Sequence, residues 1–136
     1  MFENNEQFNL VKPRGSVEIH LPDGRVISGP RGAAVGFFLR KLPEWQDPPI
    51  VAAIINGDLR ELTFPIQMDA SVQPVSIGDT DGARLYRRSL TFLLEVAFED
   101  LFPQAALTVD HSVASGGFYC QVAGRHPLNA EEVAAL

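Results

Sequence analysis

Near the start of the chain, apolar residues alternate with polar ones in the pattern of a β-hairpin. In the stretch SVEIHLPDGRVIS, residues 16–28, Val17, Ile19 and Leu21 are separated by polar neighbours. Such alternation is typical of strands with one buried face, and the Pro-Asp-Gly sequence at 22–24 is typical of a turn. We therefore expect two antiparallel strands that are joined near residue 24.

The spacing of the apolar residues becomes helical in the next segment. In RGAAVGFFLRKL, residues 31–42, Val35, Leu39 and Leu42 recur three or four positions apart, and Pro43 follows them. Proline is not tolerated in the interior of a helix, so Pro43 marks an end. The pattern predicts one helix of about three turns that lies on the hairpin.

Three further apolar runs predict strands. The stretch PIVAAIING, residues 49–57, is rich in β-branched residues and ends in an Asn-Gly turn, while LRELTFPI at 59–66 and SVQPVSI at 71–77 are shorter. The first is typical of a buried strand. A hairpin, a helix, a central strand and short strands, in that order, indicate a β-grasp domain in which a mixed sheet wraps one helix.

The second half of the chain predicts a helix and another hairpin. After a predicted linker, GDTDGA at 78–83, the stretch YRRSLTFLLEVAFEDLFP at 86–103 has an apolar stripe at helical spacing, and ALTVDHSVASGGFYCQVAG at 106–124 has two apolar runs around Ser-Gly-Gly. The stripe is wide enough that we expect it to be buried. It consists of Leu90, Leu93, Leu94, Ala97, Phe98 and Leu101.

The last residues predict the start of a helix. Asn129 is a favourable N-cap, and Glu132 follows it at the spacing of a capping box. A helix of about two turns is marginal in isolation. We therefore expect that the chain is part of a longer polypeptide.

The composition is that of a globular chain, and its length allows one ordinary domain or two small ones, while the order of the predicted elements indicates the α+β class. The chain has 136 residues, of which 46% are hydrophobic and 21% are charged. These fractions lie far from those of disordered chains. We expect a flexible leader at 1–15, a β-grasp domain at 16–77 and a helix-plus-hairpin domain at 78–136 that is truncated at its C-terminus.

The net charge and the absence of targeting signals limit the kinds of partner that we expect for this chain. The formal net charge of −6 offers no general attraction to nucleic acid or to an anionic membrane. The N-terminal stretch has no long apolar core, and the single cysteine cannot form an internal disulfide. We expect a cytoplasmic protein that has no membrane partner. RNA is a possible kind of partner, but the net charge does not favour it.

One tight cluster of positive charge exists, formed by Arg84, Arg87 and Arg88. At the start of a helix, such a cluster can bind phosphate, a small anionic ligand or a nucleotide. Alternatively, these arginines lie in a solvated first turn and pair with nearby carboxylates, which are those of Glu95, Asp79 or Asp81. Both interpretations stay open at this point, and Arg84 and Arg88 would act together because they share a helix face.

A second group of candidates lies in the predicted hairpin. His111, Ser112 and Cys120 suggest a thiol activated by an imidazole, and with Tyr119 they are candidates for a pocket. Against catalysis, the sequence supplies no third group to orient the imidazole, and a small Cys is often simply buried. We expect no catalytic residue and no metal site, because no Cys/His spacing of the zinc-finger kind is present.

The chain resembles a known tandem of domains. The stretches VEIHLPDGRVISGP, IINGDLRELTFPI and DASVQPVSI resemble the TGS domain, a ubiquitin-like β-grasp module. The following ARLYRRSLTFLLEVAFEDLFPQAALTVDHSVASGGFYCQV is similar to the second N-terminal domain of threonyl-tRNA synthetases, which directly follows the TGS domain there. Together the two resemblances cover nearly all of residues 16–136.

In that family the long helix carries a His-x-x-x-His pair, which helps to remove wrongly attached serine from tRNA. The resemblance places those positions at Arg88 and Phe92. A guanidinium is always protonated and a phenyl ring has no lone pair, so neither can bind a metal or act as a general base. The resemblance therefore implies degenerate editing-site positions, and we expect the editing activity to be lost.

A second resemblance concerns LYRRSLTFLL and DHSVASGGFYC, which are more similar to the N-terminal region of bacterial uridine kinase-like nucleoside kinases. It implies a non-catalytic regulatory module that contacts its own C-terminal kinase domain. The chain has no G-x-x-x-x-G-K-[ST] loop. This fragment is thus expected to have no cofactor, with ATP and magnesium bound only beyond residue 136.

The alternative is a tRNA-binding or editing-type module of a divergent threonyl-tRNA synthetase whose histidines are lost.

Overall fold

Two β-sheets of different size organise the chain. The computed structural model describes residues 9–114 and 116–136, and the chain divides into two compact units between Gly82 and Ala83. The strands are β1 Ser16–His20, β2 Val26–Pro30, β3 Ile50–Ile55, β4 Asp58–Arg60, β5 Ala70–Ser76, β6 Ala106–Ser112 and β7 Phe118–Ala123. The α-helices are α1 Val35–Leu39, α2 Thr80–Leu101 and α3 Ala130–Ala135. The predicted α+β class is confirmed.

The first unit is built on a five-stranded mixed sheet in the order β2-β1-β5-β3-β4. β1 and β5 run parallel, and the other neighbours are antiparallel. Its core joins alternate residues of the sheet to the buried face of α1, as expected for a β-grasp arrangement. The core cluster includes Val17, Ile19, Val35, Phe38, Leu39, Ala53, Ile66 and Val72.

Both predicted turns of this unit are confirmed by the backbone. β1 and β2 pair from Ser16 with Pro30 to His20 with Val26, and Gly24 between them has a φ of 88°. Asn56 and Gly57, which join β3 to β4, have φ of 50° and 93°. Two consecutive positive φ values are typical of the tight hairpin turn that Asn-Gly favours.

Helix α1 is much shorter than the sequence predicted. Only Val35–Leu39 is α-helical, followed by a 3₁₀ turn at Pro43–Trp45. The N–H groups of Gly32, Val35 and Gly36 donate to the carbonyls of Ile66, Phe64 and Leu62. These backbone bonds hold the first residues of the predicted helix against a distant segment, so the three-turn helix was wrong.

Helix α2 differs from its prediction in two ways. It begins at Thr80, so the last four residues of the predicted linker 78–83 are helical. Half of its apolar stripe is exposed: the exposed fractions are 45% for Leu90, 61% for Leu93 and 47% for Leu101, whereas Phe98 is 1% exposed. A helix of 22 residues is about 33 Å long. In the second unit, the described residues that could cover it form only one hairpin and one short helix, so the expected burial holds for Phe98 and was wrong for the three exposed leucines.

The second unit has a small aromatic centre at the end of α2. The rings of Phe98 and Phe102 lie 5.1 Å apart, and the Arg125 guanidinium lies 4.3 Å from the centre of the Phe102 ring. Arg125 also binds Glu132 of α3 at 2.6 Å. The end of α2 and the start of α3 are therefore linked through Arg125, the second residue after β7.

The hairpin and the C-terminal helix match their predictions. β6 and β7 pair antiparallel, with an irregularity between Val109 and His111. The Asn129 side chain accepts from the Glu132 N–H, and the Glu132 carboxylate accepts from the Asn129 N–H, which is the predicted capping box. Ser115 of the predicted turn and residues 1–8 of the predicted leader lie outside the described residues.

Among the described residues, none of the helices combines the length and apolarity needed to cross a membrane.

Candidate functional site

Arg88 and Phe92 lie side by side on an exposed side of α2. They are four residues apart in a continuous helix, a spacing that brings Cβ atoms to within about 5–6 Å. Phe92 is 68% exposed, so its ring is open to solvent. Arg88 is also exposed, and no carboxylate of the described residues lies within ion-pair distance of it.

The other two arginines of the predicted cluster extend this face towards the helix start. Arg84 and Arg87 are both exposed. The Arg87 Nε donates to the carbonyl of Ala83 at 3.4 Å, which places its side chain along the helix. In the second unit, none of the described ion pairs joins Glu95 to an arginine of the cluster.

Asp79, another carboxylate considered as a partner, is occupied elsewhere. Its Oδ2 accepts from the Ser76 backbone N–H at 2.6 Å and from the Ser76 hydroxyl at 3.0 Å. These bonds fix the turn between β5 and α2. The Asp79 carboxylate is therefore committed to this turn.

Charge is segregated along α2. The three arginines fall within residues 84–88, and the carboxylates of Glu95, Glu99 and Asp100 fall in its last two turns. A helix dipole favours acids near the N-terminus and bases near the C-terminus, so Asp81 in the first turn has the favoured placement and the three acids of the last two turns do not. The three arginines follow the first turn, so their placement contributes little to the stability of the helix through its dipole.

The four candidate residues of the β6–β7 hairpin do not lie together on one face. His111 pairs with Tyr119 across the strands, and their rings are stacked at 5.3 Å. Ser112 pairs with Phe118, whereas Cys120 pairs with Val109 and is partly buried. Tyr119 and Cys120 are consecutive in β7, so their side chains point to opposite faces of the hairpin. The stacked imidazole and the thiol are thus on different faces.

The His111 imidazole has one acidic neighbour, since its Nδ1 lies 3.5 Å from the Asp110 carboxylate. All three of His111, Asp110 and Tyr119 are exposed, which leaves this group open to water. It has the form of an exposed surface cluster rather than a closed active site. The assignment of His111, Ser112, Tyr119 and Cys120 to one pocket stays a prediction.

A groove of about 710 Å³ in the second unit was not predicted from the sequence. Tyr119 and Cys120 line it, but His111 and Ser112 do not. Its apolar walls come from separate elements that only the fold brings together, and the one sequence signal was the apolar stripe of α2. The lining residues are Leu94, Leu107, Tyr119, Cys120, Gln121, Val122, Pro127, Leu128, Val133 and Leu136.

Electrostatics hold α3 in place beside this groove. The Arg125 guanidinium and the Asn129 N–H both donate to the Glu132 carboxylate and lower its pKa below the ordinary value, with Arg125 the larger cause. The Arg125 and Glu132 side chains are 20% and 27% exposed, so this pair is the least exposed of the described ion pairs. It fixes the end of the groove to which α3 contributes Val133.

No metal-ligand set is formed by the residues whose positions the structure describes. Within 9–114 and 116–136, no three His, Cys, Asp or Glu side chains come together as a group that could hold a metal ion. Arg88 and Phe92, the positions of the paired histidines in the family that the sequence resembles, have no ligand atoms to offer.

Comparison with known proteins gives one consistent result. The chain is 30% identical over 117 residues to the threonine–tRNA ligase of Chloroherpeton thalassium, which covers 86% of this chain and 18% of that protein. It is 28% identical over 124 residues to the enzyme of Thermus thermophilus, covering 87% of this chain and 19% of the relative. It is 31% identical over 109 residues to that of Mycobacteroides abscessus, covering 79% and 16%.

Its relatives at this level are threonine–tRNA ligases. The chain spans less than a fifth of the length of each of these three proteins. A scan against protein-family models finds none that matches. The resemblance to threonyl-tRNA synthetases is thus supported, whereas none of these three relatives is a nucleoside kinase and the kinase parent receives no support.

Proposed function

We propose that this chain is an RNA-contacting accessory module of a protein related to threonine–tRNA ligases, and that it acts without hydrolytic chemistry of its own. The observation that carries the proposal is the exposed pair of Arg88 and Phe92 on α2. The relatives are named as ligases that act on tRNA, which makes a tRNA the RNA to be tested first.

The chemistry of this pair suits a single-stranded RNA end. An exposed phenyl ring offers a face on which an unpaired base can stack, and each such stack contributes about 1–3 kcal/mol. A guanidinium beside it can bind the adjoining phosphate through two parallel hydrogen bonds. Arg84 lies one turn earlier on the same side of α2 and can contact a second phosphate.

The same residues argue against hydrolysis. Removal of an amino acid from tRNA requires a water molecule to be activated by a general base or a metal ion. Arg88 stays protonated and Phe92 has no lone pair, so neither can perform that step. We therefore propose that the module binds RNA and needs no cofactor for that role. Its proposed location is the cytoplasm.

The net charge of −6 limits the strength of such binding. Contacts from three arginines give a salt dependence of roughly −2 in log K against log salt, at about −0.7 per phosphate contact on a single strand. We expect weak binding that a moderate rise in salt abolishes. Tight binding that salt does not affect would contradict the proposal.

A fluorescence anisotropy titration tests the proposal. A labelled single-stranded RNA octanucleotide and a tRNA specific for threonine serve as probes, at two salt concentrations. We expect Phe92→Ala and Arg88→Gln each to weaken binding by about tenfold, the loss of one stack or one charged contact.

Two matched variants control the titration. Leu101→Ala removes another exposed apolar side chain from α2, and Lys12→Gln removes one positive charge from the other unit, at an exposed position. Both should leave the affinity within twofold, allowing for the small general effect of charge. Equal weakening by Arg88→Gln and Lys12→Gln would mean that only net charge matters, and the proposed site would be wrong.

A second candidate is a regulatory module of a uridine kinase-like enzyme, which would contact its own kinase domain and a small anion or nucleotide. It rests on the resemblance of the segment LYRRSLTFLL, in which Arg88 and Phe92 stand at the histidine positions, to the N-terminal region of those kinases. The gene downstream of codon 136 discriminates between the two. A glycine-rich loop followed by Lys and Ser or Thr supports the kinase, and sequence continuing to resemble the ligases supports the first proposal.

A further inference from the structure

In the part of the chain that the structure describes, strand β2 leaves one backbone edge of the five-stranded sheet open. It is the outermost strand on its side, with β1 as its neighbour. The Leu21 N–H donates to the Arg25 carbonyl, and the Arg31 N–H donates to the Gly15 carbonyl, so the odd-numbered positions of β2 direct their polar groups towards β1. In an antiparallel pair the intervening residues direct theirs away.

The open groups therefore belong to Val26 and Ser28. Pro30 also faces away from β1, but it has no N–H, and its carbonyl accepts a hydrogen bond from the Ala33 N–H. The unpaired stretch thus presents two N–H groups and two carbonyls at strand spacing. Such a row is a template for another extended chain.

An apolar cleft of about 170 Å³ runs beside this edge, between β2 and α1. Its floor exists because Gly29 has no side chain: a Cβ there would lie 2.6 Å from the Phe38 ring. Phe37 forms one wall and is 62% exposed. The full lining is Ile27, Ser28, Gly29, Pro30, Ala33, Phe37, Phe38 and Lys41.

The rim of the cleft is positively charged. Lys41 lines it, and the Arg40 guanidinium lies 5.6 Å from the centre of the Phe37 ring. Neither cation forms an ion pair with a carboxylate in the described part of the chain. The acids Asp23 and Glu44 are both bound to Arg25 and form a group with a net charge of −1, while neither of them is paired with Lys41 or Arg40.

We propose that this surface, the β2 edge with the adjoining cleft, binds an extended acidic segment of a partner protein, which adds to β2 as a further strand. Backbone bonds to Val26 and Ser28 would supply the register. An apolar side chain of the partner fills the cleft, and its flanking carboxylates pair with Lys41 and Arg40. This mode of recognition combines a sheet edge with side-chain pockets.

The proposal is independent of RNA binding, because it uses only residues of the first unit. A protein segment is favoured over RNA here because alternating donors and acceptors at strand spacing match a peptide backbone. The opposite edge strand β4 has only three residues, so it offers a shorter template.

The test is a titration of the whole ¹⁵N-labelled chain with an acetylated and amidated hexapeptide, Glu-Val-Ile-Val-Asp-Asp. We expect saturable binding, with the hydrogen exchange of the Val26 and Ser28 amides slowed on binding. The Ile27 amide, which already faces β1, should exchange at an unchanged rate. A peptide with lysine in place of each acidic residue should not bind.

Variants locate the contact. Ser28→Pro removes an outward N–H without removing a bond to β1 and should weaken peptide binding by about tenfold, whereas Ser28→Ala keeps the N–H and should bind normally. If Ser28→Pro unfolds the chain, Lys41→Glu takes its place. It should weaken binding by about fivefold, while Lys12→Glu, with the same change in charge, should not.

Several results would overturn the proposal. They are the absence of saturable binding, equal binding of the acidic and basic peptides, and protection of amides away from β2. Slow exchange of Val26 and Ser28 that depends on protein concentration alone would assign the edge to a second copy of the chain. A single-stranded RNA that perturbs these amides when the peptide does not would assign it to nucleic acid.

Discussion

Gly82 lies where the start of α2 passes closest to the end of β5. A Cβ at this position would lie 1.8 Å from the carbonyl oxygen of Ser76 and 2.6 Å from its carbonyl carbon. Both atoms belong to the backbone, which cannot move aside as a flexible side chain can. Helix propensity alone would favour Ala by about 1 kcal/mol, so the two effects have opposite sign.

We predict that the steric effect is larger and that Gly82→Ala lowers the free energy of unfolding by about 2 kcal/mol, the usual range for an overpacked site. Urea denaturation followed by circular dichroism measures the change. Gly78→Ala is the control, because its Cβ would meet only the Ser76 hydroxyl at 3.5 Å and Pro48 at 3.9 Å. If Gly82→Ala is as stable as Gly78→Ala, the close approach at Gly82 is wrong.

Phe98 and Phe92 share a residue type and a helix but differ in burial, at 1% and 68% exposed. Phe98→Ala should lower the free energy of unfolding by about 3–5 kcal/mol, because it removes a buried ring that packs on Phe102. Phe92→Ala should change it by less than about 0.5 kcal/mol. Thermal unfolding of the two variants checks the contrast, and a comparable loss at Phe92 would show that this ring is covered in solution.

At the level of the elements, α3 is held by one network of charge and hydrogen bonds. The Asn129 cap, Glu132 and Arg125 connect α3 to the Phe102 ring at the end of α2. The pKa of Glu132 is lowered in the fold, so its contribution to stability is present above its unfolded pKa. That contribution is lost as the pH falls through the lower folded pKa.

We predict that Arg125→Gln raises the pKa of Glu132 towards its ordinary value, because Arg125 is the largest cause of the shift. The titration of the Glu132 side-chain carboxyl carbon, followed by NMR, measures that pKa. Asn129→Ala should weaken the capped start of α3 by about 1 kcal/mol and raise the same pKa less. An unchanged midpoint in Arg125→Gln would contradict the ion pair.

Elements that rest on local signals could be predicted from the sequence. The β1–β2 hairpin follows from alternation around Pro-Asp-Gly, and the capping box follows from the spacing of Asn129 and Glu132. Helix α1 could not be predicted to its true length. Its first N–H groups bond to residues 62–66, which are about 30 positions away, and no local pattern reports such a pairing.

The candidate site was predicted in part. The positions of Arg88 and Phe92 on one helix face follow from their spacing, but the exposure of Phe92 does not. An apolar stripe in a sequence indicates a face that could be buried, whereas its burial depends on which elements lie against it. The groove lined by Tyr119 and Cys120 likewise depends on tertiary packing between separate elements.

At the level of the whole molecule, the two proposed binding surfaces use different chemistry in an acidic chain. The net charge is −6, yet three arginines cluster within residues 84–88 and two cations lie at the rim beside β2. Local concentration of positive charge can bind anions that the net charge as a whole would repel. We therefore predict binding to RNA through α2 without any reaction on it.

An assay of seryl-tRNA deacylation tests this central claim most directly. The whole chain is added at a concentration that saturates tRNA binding, and the loss of serine is compared with the uncatalysed rate. We predict that the chain leaves the rate of serine loss at the uncatalysed value. Arg88→Gln should lower the affinity for tRNA and leave this rate unchanged. Turnover that is well above the uncatalysed rate and is abolished by Arg88→Gln or by His111→Ala would contradict the claim.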